Sequence, residues 1–232
     1  MGEKKQKEER TRKIKQVVVV GACVLFVILM ILSGMGSHWL TMFTVTKPGD
    51  TVVVDYTLYD AAGSPILTSN QQVYKNLAAS GKGVILSKQL SMTSNQSLGK
   101  EIYPVPIYTT ASATQQFALF STEYNAISAA LVGMKTGDQK HIALPSNISM
   151  TQEWSAAQLQ RNKVNMSDLS IGDMLAMGVS DNPEAMITNA STTITYTRMG
   201  EVVSKTNASV VVDFGYPSAD ISVVSVNANA DN

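Results

Sequence analysis

The sequence is poor in the residues that build disulfide frameworks and metal centres. It has one cysteine, Cys23, and two histidines, His38 and His141, among 232 residues. A disulfide within the chain needs two cysteines, and a structural zinc site needs four ligands drawn mostly from Cys and His. We therefore expect no disulfides, no metal and no cofactor. No spacing supplies partners for a Ser/His/Asp triad on His141.

Charged residues are also few, at 16% of the chain, and the formal net charge is zero. That zero conceals an asymmetry, because the first 15 residues contain seven basic and three acidic side chains, a net +4. The rest contains 11 basic and 15 acidic side chains, a net −4. Nucleic-acid binding relies on clustered Lys and Arg. We predict no nucleic-acid partner.

The charge-free run at residues 17–36 is almost wholly apolar. As a helix it would extend about 30 Å, the thickness of the hydrocarbon core of a bilayer. The basic cluster precedes it, so the positive-inside rule predicts a cytoplasmic tail at residues 1–15. We expect a single transmembrane helix at residues 16–37, in contact with lipid, and a cell-membrane protein whose C-terminal part lies outside the cytoplasm. The alternative is a signal peptide cleaved near Gly34-Met35-Gly36.

Five Asn-x-Ser/Thr sequons support an extracytoplasmic location. They begin at Asn95, Asn147, Asn165, Asn189 and Asn207. This pattern is the acceptor for N-glycosylation in secreted proteins. The sequence therefore predicts a glycoprotein.

Alternating apolar residues predict a strand from Thr51 to Tyr59, and a second strand follows a turn, from Pro65 to Thr68. Residues 70–113 are rich in Ser, Thr, Gln and Asn. We interpret them as a long polar surface insertion with little regular structure, apart from one helical turn near Val73 to Ala79.

The second half of the sequence predicts one helix, a helical stretch and several strands. The helix runs from Glu123 to Val132 after a cap at Ser121 or Thr122, with Tyr124, Ile127 and Leu131 buried and Gly133 at its C-terminal end. A helical stretch is predicted from Thr151 to Gln160. The predicted strands are FALF at residues 117–120, Gln139–Leu144, Met174–Val179, Thr192–Ser204, Ser209–Phe214 and Ile221–Val226. This order is an α+β pattern.

Two motifs resemble one enzyme family. Residues 45–57 (VTKPGDTVVVDYT) resemble the first strand of FKBP-type peptidyl-prolyl cis-trans isomerases, and residues 129–140 (AALVGMKTGDQK) resemble their helix-to-strand segment. Residues 168–174 (DLSIGDM), 200–203 and 210–213 resemble the flap-inserted chaperone domain of the SlyD-like branch. The resemblance extends from about residue 45 to residue 226, apart from the insertion.

The resemblance implies an FKBP-like antiparallel half-barrel sheet with a short helix, at residues 38–145 plus 215–232. It also implies an inserted, mainly-β flap domain at residues 146–214. The implied activity is isomerisation of X-Pro bonds in unfolded or proline-containing protein clients. An apolar pocket lowers the barrier by removing water from the amide. The matching pocket positions are Tyr56, Ile66, Leu67, Phe117, Tyr124 and Ile127.

Two positions depart from the family's pattern. The family's pocket Asp falls on Leu67, and its pocket Tyr falls on about Ser149. Both lost groups are polar, while the apolar wall is kept. The sequence predicts a membrane-anchored prolyl isomerase and foldase that acts on proteins outside the cytoplasm. The first alternative is a holdase or binding module that has lost catalysis, and the second is a structural subunit of a surface complex. Simple core packing is the alternative role for Tyr56, Phe117 and Ile127.

Overall fold

The computed structural model describes residues 15, 16, 18–30, 44–108, 115–145, 150–180 and 196–227. The chain divides into two compact units, Met1–Phe43 and Thr44–Asn232. The predicted elements and pocket positions from Thr51 onward all belong to the second unit.

In the first unit, residues 18–30 form a helix whose side chains are exposed. Within the ranges that the structure describes, no helix combines the length and apolarity that a membrane span requires. The prediction of a transmembrane helix at residues 16–37 is therefore wrong.

The described part of the second unit is a 12-stranded, curled mixed sheet with three short helices. The helices are α1 (Gln71–Ala79), α2 (Ser121–Ala130) and α3 (Ala156–Arg161), with a single 3-10 turn at Met166–Asp168. The strands are β1 (Thr51–Tyr59), β2 (Pro65–Thr68), β3 (Ile85–Ser87), β4 (Leu90–Thr93), β5 (Ile102–Tyr108), β6 (Gln115–Phe120), β7 (Gln139–Ala143), β8 (Thr151–Ser155), β9 (Met174–Val179), β10 (Tyr196–Lys205), β11 (Ser209–Asp213) and β12 (Ser218–Asn227).

The strand order is β7-β12-β1-β2-β3-β5-β6-β10-β11-β8, with β4 paired to β1 and β9 paired to β10. Most neighbours are antiparallel, but β2 with β3 and β6 with β10 are parallel. The predicted antiparallel sheet is therefore corrected to a mixed one. Parallel pairing arises here because β3 and β10 reach β2 and β6 after long connections rather than through tight hairpins.

Three strands begin and end where the sequence predicts, and β6, β7, β10, β11 and β12 overlap their predicted ranges. β1, β2 and β9 have the predicted bounds. In contrast, the helix predicted from Thr151 to Gln160 is wrong in its first half, because Thr151–Ser155 pairs with β11 along its length. The Ser155 side chain then accepts the Gln158 N–H and caps α3, which starts the helix at Ala156.

Helix α2 begins with an arrangement that the sequence does not predict. Its N-cap is Phe120, whose N–H donates to the Glu123 carboxylate at 2.9 Å, so the predicted cap at Ser121 or Thr122 is wrong. The predicted buried face is confirmed, since Tyr124, Ile127 and Leu131 are at most 6% exposed. Gly133 has φ +84°, as predicted for the position after a helix.

The interpretation of residues 70–113 as largely irregular is wrong. They contain α1, β3, β4 and β5, while residues 109–113 lie outside the described ranges. β4 adds to β1, and β3 with β5 links β2 to β6. The inward side chains of β4 and β5 are apolar and buried: Leu90, Met92, Val105 and Ile107. The insertion is therefore part of the sheet.

Most buried apolar side chains of β1, β2, β4–β7, β12 and α2 form one cluster, here called the main core. A second cluster, the flap core, belongs to β9–β11 and the segment before them: Leu159, Leu169, Leu175, Val202, Val210, Val212 and Phe214. Gly200 lies beside it, and a Cβ there would come within 2.5 Å of the Phe214 ring. We refer to the described residues 150–180 and 196–214 as the flap.

Arg198 joins the flap to the elements around α2. Its side chain is 0% exposed, and its guanidinium pairs with the Glu123 carboxylate, which is 5% exposed. One Nη1–Oε2 distance is 3.0 Å, and a second bond joins Nη2 to Oε1. Nε also donates to the Phe214 carbonyl and Nη1 to the Ala118 carbonyl, both at 2.8 Å. These bonds offset the cost of burying both charges.

Aromatic rings close the space around this ion pair. The Cζ atom of Arg198 lies 4.2 Å from the ring centres of both Phe120 and Tyr216. It lies 5.8 Å from the ring centre of Phe117. A guanidinium is weakly hydrated and stacks well on aromatic faces, so Arg suits such a site better than Lys does.

We predict that Glu123→Ala lowers the free energy of unfolding by about 3–5 kcal/mol, because it leaves Arg198 charged, buried and unpaired. Urea denaturation of the purified chain measures the change. Replacing both partners, as Glu123→Leu with Arg198→Met, recovers most of the loss, because apolar side chains of similar size fill the same volume.

The matched control is Asp220→Ala, which removes the exposed pair between His141 and Asp220, whose side chains are 64% and 51% exposed. Exposed pairs contribute at most about 1 kcal/mol. Equal losses for Glu123→Ala and Asp220→Ala would show that the buried pair does not hold the flap in place.

Candidate functional site

The six side chains predicted to line a pocket come together in the main core. None of them is more than 6% exposed: Tyr56 on β1, Ile66 and Leu67 on β2, Phe117 on β6, and Tyr124 and Ile127 on α2. With this burial they pack as core side chains instead of lining an open cleft. The cluster lies where the gap between β2 and β6 is filled by β3 and β5.

The insertion engages the hydroxyl group of Tyr56. The Tyr56 hydroxyl and the Ser87 hydroxyl on β3 form a buried hydrogen bond of 2.9 Å. Burial raises the pKa of the Tyr56 phenol above its ordinary value, and the bond to Ser87 partly opposes that rise. Tyr56 is therefore a neutral hydrogen-bonding group, turned toward the insertion.

Strand β5 covers the remainder of the cluster. The Tyr103 ring packs on the Tyr124 ring with their centres 4.9 Å apart. Val105 is paired directly with Phe117 in the antiparallel register of β5 and β6, and both side chains are 0% exposed. Residues opposite each other in such a pair point to the same face of the sheet, so Val105 lies against the predicted pocket wall.

Leu67 occupies a position that excludes a charged group. It is paired with Leu58 on β1 and with Ile85 on β3, and it is 0% exposed. A carboxylate there would be buried beside apolar side chains. The departure from the family's Asp is therefore consistent with a closed core. Ser149, the second departure, lies outside the described residues.

Sequence reasoning missed Arg198, which lies next to Phe117. A signal was present, because Tyr196, Arg198 and Val202 share one face of β10, and all three are buried. A charge on the apolar face of a strand requires a buried partner. Glu123, the one acidic residue in the first turn of α2, was the available candidate.

A polar cleft of about 350 Å³ lies on the outer face of the sheet. Nδ1 of His141 lies 2.7 Å from Oδ1 of Asp220, and the Tyr59 hydroxyl donates to Oδ2 of Asp220 at 2.5 Å. Burial and the bond to Asp220 raise the pKa of Tyr59 to about 12. His141 lies on β7. In the described ranges, no cluster of three or more His, Cys, Asp or Glu side chains could hold a metal ion.

Comparison with known proteins does not assign a family. No protein-family model matches the sequence, and no curated protein matches it. The resemblance to FKBP-type isomerases therefore depends on the motifs at residues 45–57 and 129–140.

We predict that Leu67→Asp lowers the free energy of unfolding by about 3–5 kcal/mol at pH 7, because it buries an unpaired charge. Burial would raise the pKa of the new carboxyl in the folded state above the unfolded value of about 3.9. The folded state then binds the proton more tightly, so the loss of stability shrinks as the pH falls from 7 to 4. Urea denaturation across this pH range measures it.

The matched control is Leu67→Asn, which has nearly the same shape but does not titrate. Its loss of stability should stay constant between pH 7 and pH 4. If Leu67→Asp shows the same flat profile, its carboxylate reaches water in the folded state, and the pocket is open in solution.

Proposed function

We propose that this chain is an FKBP-like foldase of the SlyD-like branch, which isomerises X-Pro bonds in unfolded or proline-containing proteins outside the cytoplasm. The observation that carries the proposal is the path of the chain. β7 and β12 are neighbours in the sheet, and the whole flap is inserted between them in sequence. Such an insertion agrees with the position of the chaperone domain in the family that the motifs resemble.

The proposed reaction depends on a complementary apolar pocket that excludes water more than on ionisable groups. The barrier to rotation about a peptide bond is about 18–20 kcal/mol and comes from amide resonance. A pocket that keeps water from the carbonyl favours the twisted, less polar state of the bond. Phe117, Tyr124 and Ile127 supply an apolar wall of the required kind from β6 and α2.

A second candidate function is a binding module or holdase that has the fold without catalysis. The observation that favours it is the burial of all six predicted pocket positions beneath the insertion. Leu67 in place of the family's Asp also favours a binding module or holdase without catalysis. Both candidates share the flap as the place where clients bind.

The flap offers an exposed apolar surface for clients. Ile171 is 66% exposed and Val203 is 38% exposed. The Gly172 N–H donates to the Val202 carbonyl at 2.9 Å, so the turn that contains Ile171 meets the strand that contains Val203. Exposed apolar side chains on neighbouring segments are candidates for a protein-binding surface.

We predict that the full-length chain accelerates isomerisation of a short proline peptide, a reaction that takes tens to hundreds of seconds without a catalyst. NMR exchange spectroscopy of the peptide measures the rate. No acceleration at micromolar protein, together with suppressed aggregation of an unfolded client, supports the second candidate. If the chain neither accelerates isomerisation nor suppresses aggregation, both candidate functions are contradicted.

We also predict that Ile171→Ser with Val203→Ser weakens the suppression of client aggregation several-fold, because it removes apolar surface from the flap. Turnover of the short peptide should stay within about twofold, since the substitutions lie on exposed positions away from the main core. Light scattering of a refolding client measures the first effect. Val132→Ser is the control, because Val132 is equally apolar and 41% exposed but lies outside the flap.

A further inference from the structure

We propose that β5 is an internal occupant of the client groove, and that it must move aside before an X-Pro segment of a client can enter. The inference rests on the proposed function, because it names the segment of this chain that covers the isomerase pocket. In this proposal, the contact between β5 of the insertion and the pocket wall is autoinhibitory.

The position of β5 is that of a bound extended peptide. It pairs antiparallel with β6 from Ile102 to Ile107, and it lies between β6 and the strands that provide the other wall. Val105 and Ile107 are buried in the main core, and Tyr103 packs against it. Main-chain pairing with apolar side chains in alternate pockets is how proteins bind extended peptides.

The sequence of β5 also resembles that of a client. It contains the run Tyr103-Pro104-Val105-Pro106, with two X-Pro bonds, and a residue before proline favours extended backbone. Pro104 is exposed and Pro106 is half-buried, on the face opposite the core-facing Val105. The two prolyl rings therefore point away from the apolar wall. β5 fills the groove without presenting a proline for turnover.

On the edge away from β6, β5 is paired with its neighbour over only a few residues. It pairs with β3 only at Ile107 and Tyr108, and β3 in turn pairs with β2 only through Ile85 and Leu86. Pro104 and Pro106 have no N–H, so two donors are missing along this edge. The Pro106 carbonyl accepts from the Lys88 N–H at 3.0 Å. By comparison, β1 pairs with β12 along its whole length.

A reversible disulfide between β5 and β6 tests the proposal. Pro106 and Gln116 are paired opposite each other, and both are half-buried. Opposite residues of antiparallel strands have Cα atoms about 4.5–5.5 Å apart, within the range for a disulfide. Pro106→Cys with Gln116→Cys is made in the full-length chain, with Cys23→Ser so that one disulfide can form.

With β5 locked, we expect the oxidised protein to lose at least tenfold in kcat/KM on a short proline peptide and to regain it on reduction. The control lock is Thr51→Cys with Asn227→Cys, which joins opposite residues of β1 and β12 far from β5 in the register. It should change kcat/KM less than twofold. Equal activity of the oxidised and reduced β5 lock would overturn the proposal.

Amide hydrogen exchange decides the proposal even if the chain has no isomerase activity. We expect the backbone amides of the five non-proline residues of β5 to exchange at least tenfold faster than those of β12, and the β5 lock to abolish this difference. Exchange of β5 and β12 at the same slow rate would show that β5 is a permanent part of the sheet. Lack of turnover in every variant, with fast exchange of β5, would refute the proposed catalysis and leave the mobile strand established.

Tyr103→Ala tests the proposal by an expected gain of activity, whereas the disulfide tests it by an expected loss. Removing the ring that packs on Tyr124 loosens β5, so kcat/KM for the short peptide should rise several-fold. Tyr108→Ala is the matched control, because Tyr108 is on the same strand and 57% exposed. A residue with a purely structural role would lower activity when truncated, and that result would contradict the autoinhibitory contact.

Discussion

The buried pair between Arg198 and Glu123 is the constraint on which the arrangement of the second unit depends. The same carboxylate accepts the Phe120 N–H at the start of α2 and holds the guanidinium that β10 brings from the flap. Burying two charges is costly, so the pair persists only because nearly every donor has an acceptor and aromatic rings exclude water. Since α2 also carries Tyr124 and Ile127, the pair fixes the predicted pocket wall and the flap together.

A second constraint comes from the insertion. Its strands complete the sheet between β2 and β6, and the inward side chains of β4 and β5 belong to the main core. The apolar side chain of Leu67 suits this enclosure. Leu67 is paired with Leu58 and Ile85, and a charged group at this position would be buried at a large cost in stability. The apolar side chain at Leu67 and the strands of the insertion that enclose it are thus two aspects of one closed arrangement.

Local pattern was enough to predict the bounds of β1, β2 and β9 and the buried face of α2. It failed where pairing with distant residues decides the structure. The inward residues of β4 are separated by Ser91 and those of β5 by prolines, and they become buried only through β1 and β6. The strand at Thr151–Ser155 likewise depends on β11. At the pocket, the sequence identified residues that do cluster, but it could not show that Tyr103 and Val105 cover them.

A site that is closed at rest must open at a cost, and that cost sets how well it works. An opening free energy of about 2.8 kcal/mol leaves about one molecule in a hundred open and weakens apparent client affinity about a hundredfold. A neighbouring flap that holds the client can compensate, since a short tether gives an effective concentration of about millimolar. Short free peptides are not tethered by the flap, so their effective concentration at the groove is not raised. Under the proposed function, the covered groove and the exposed flap surface at Ile171 and Val203 belong together, because a covered groove would favour long unfolded chains over short peptides.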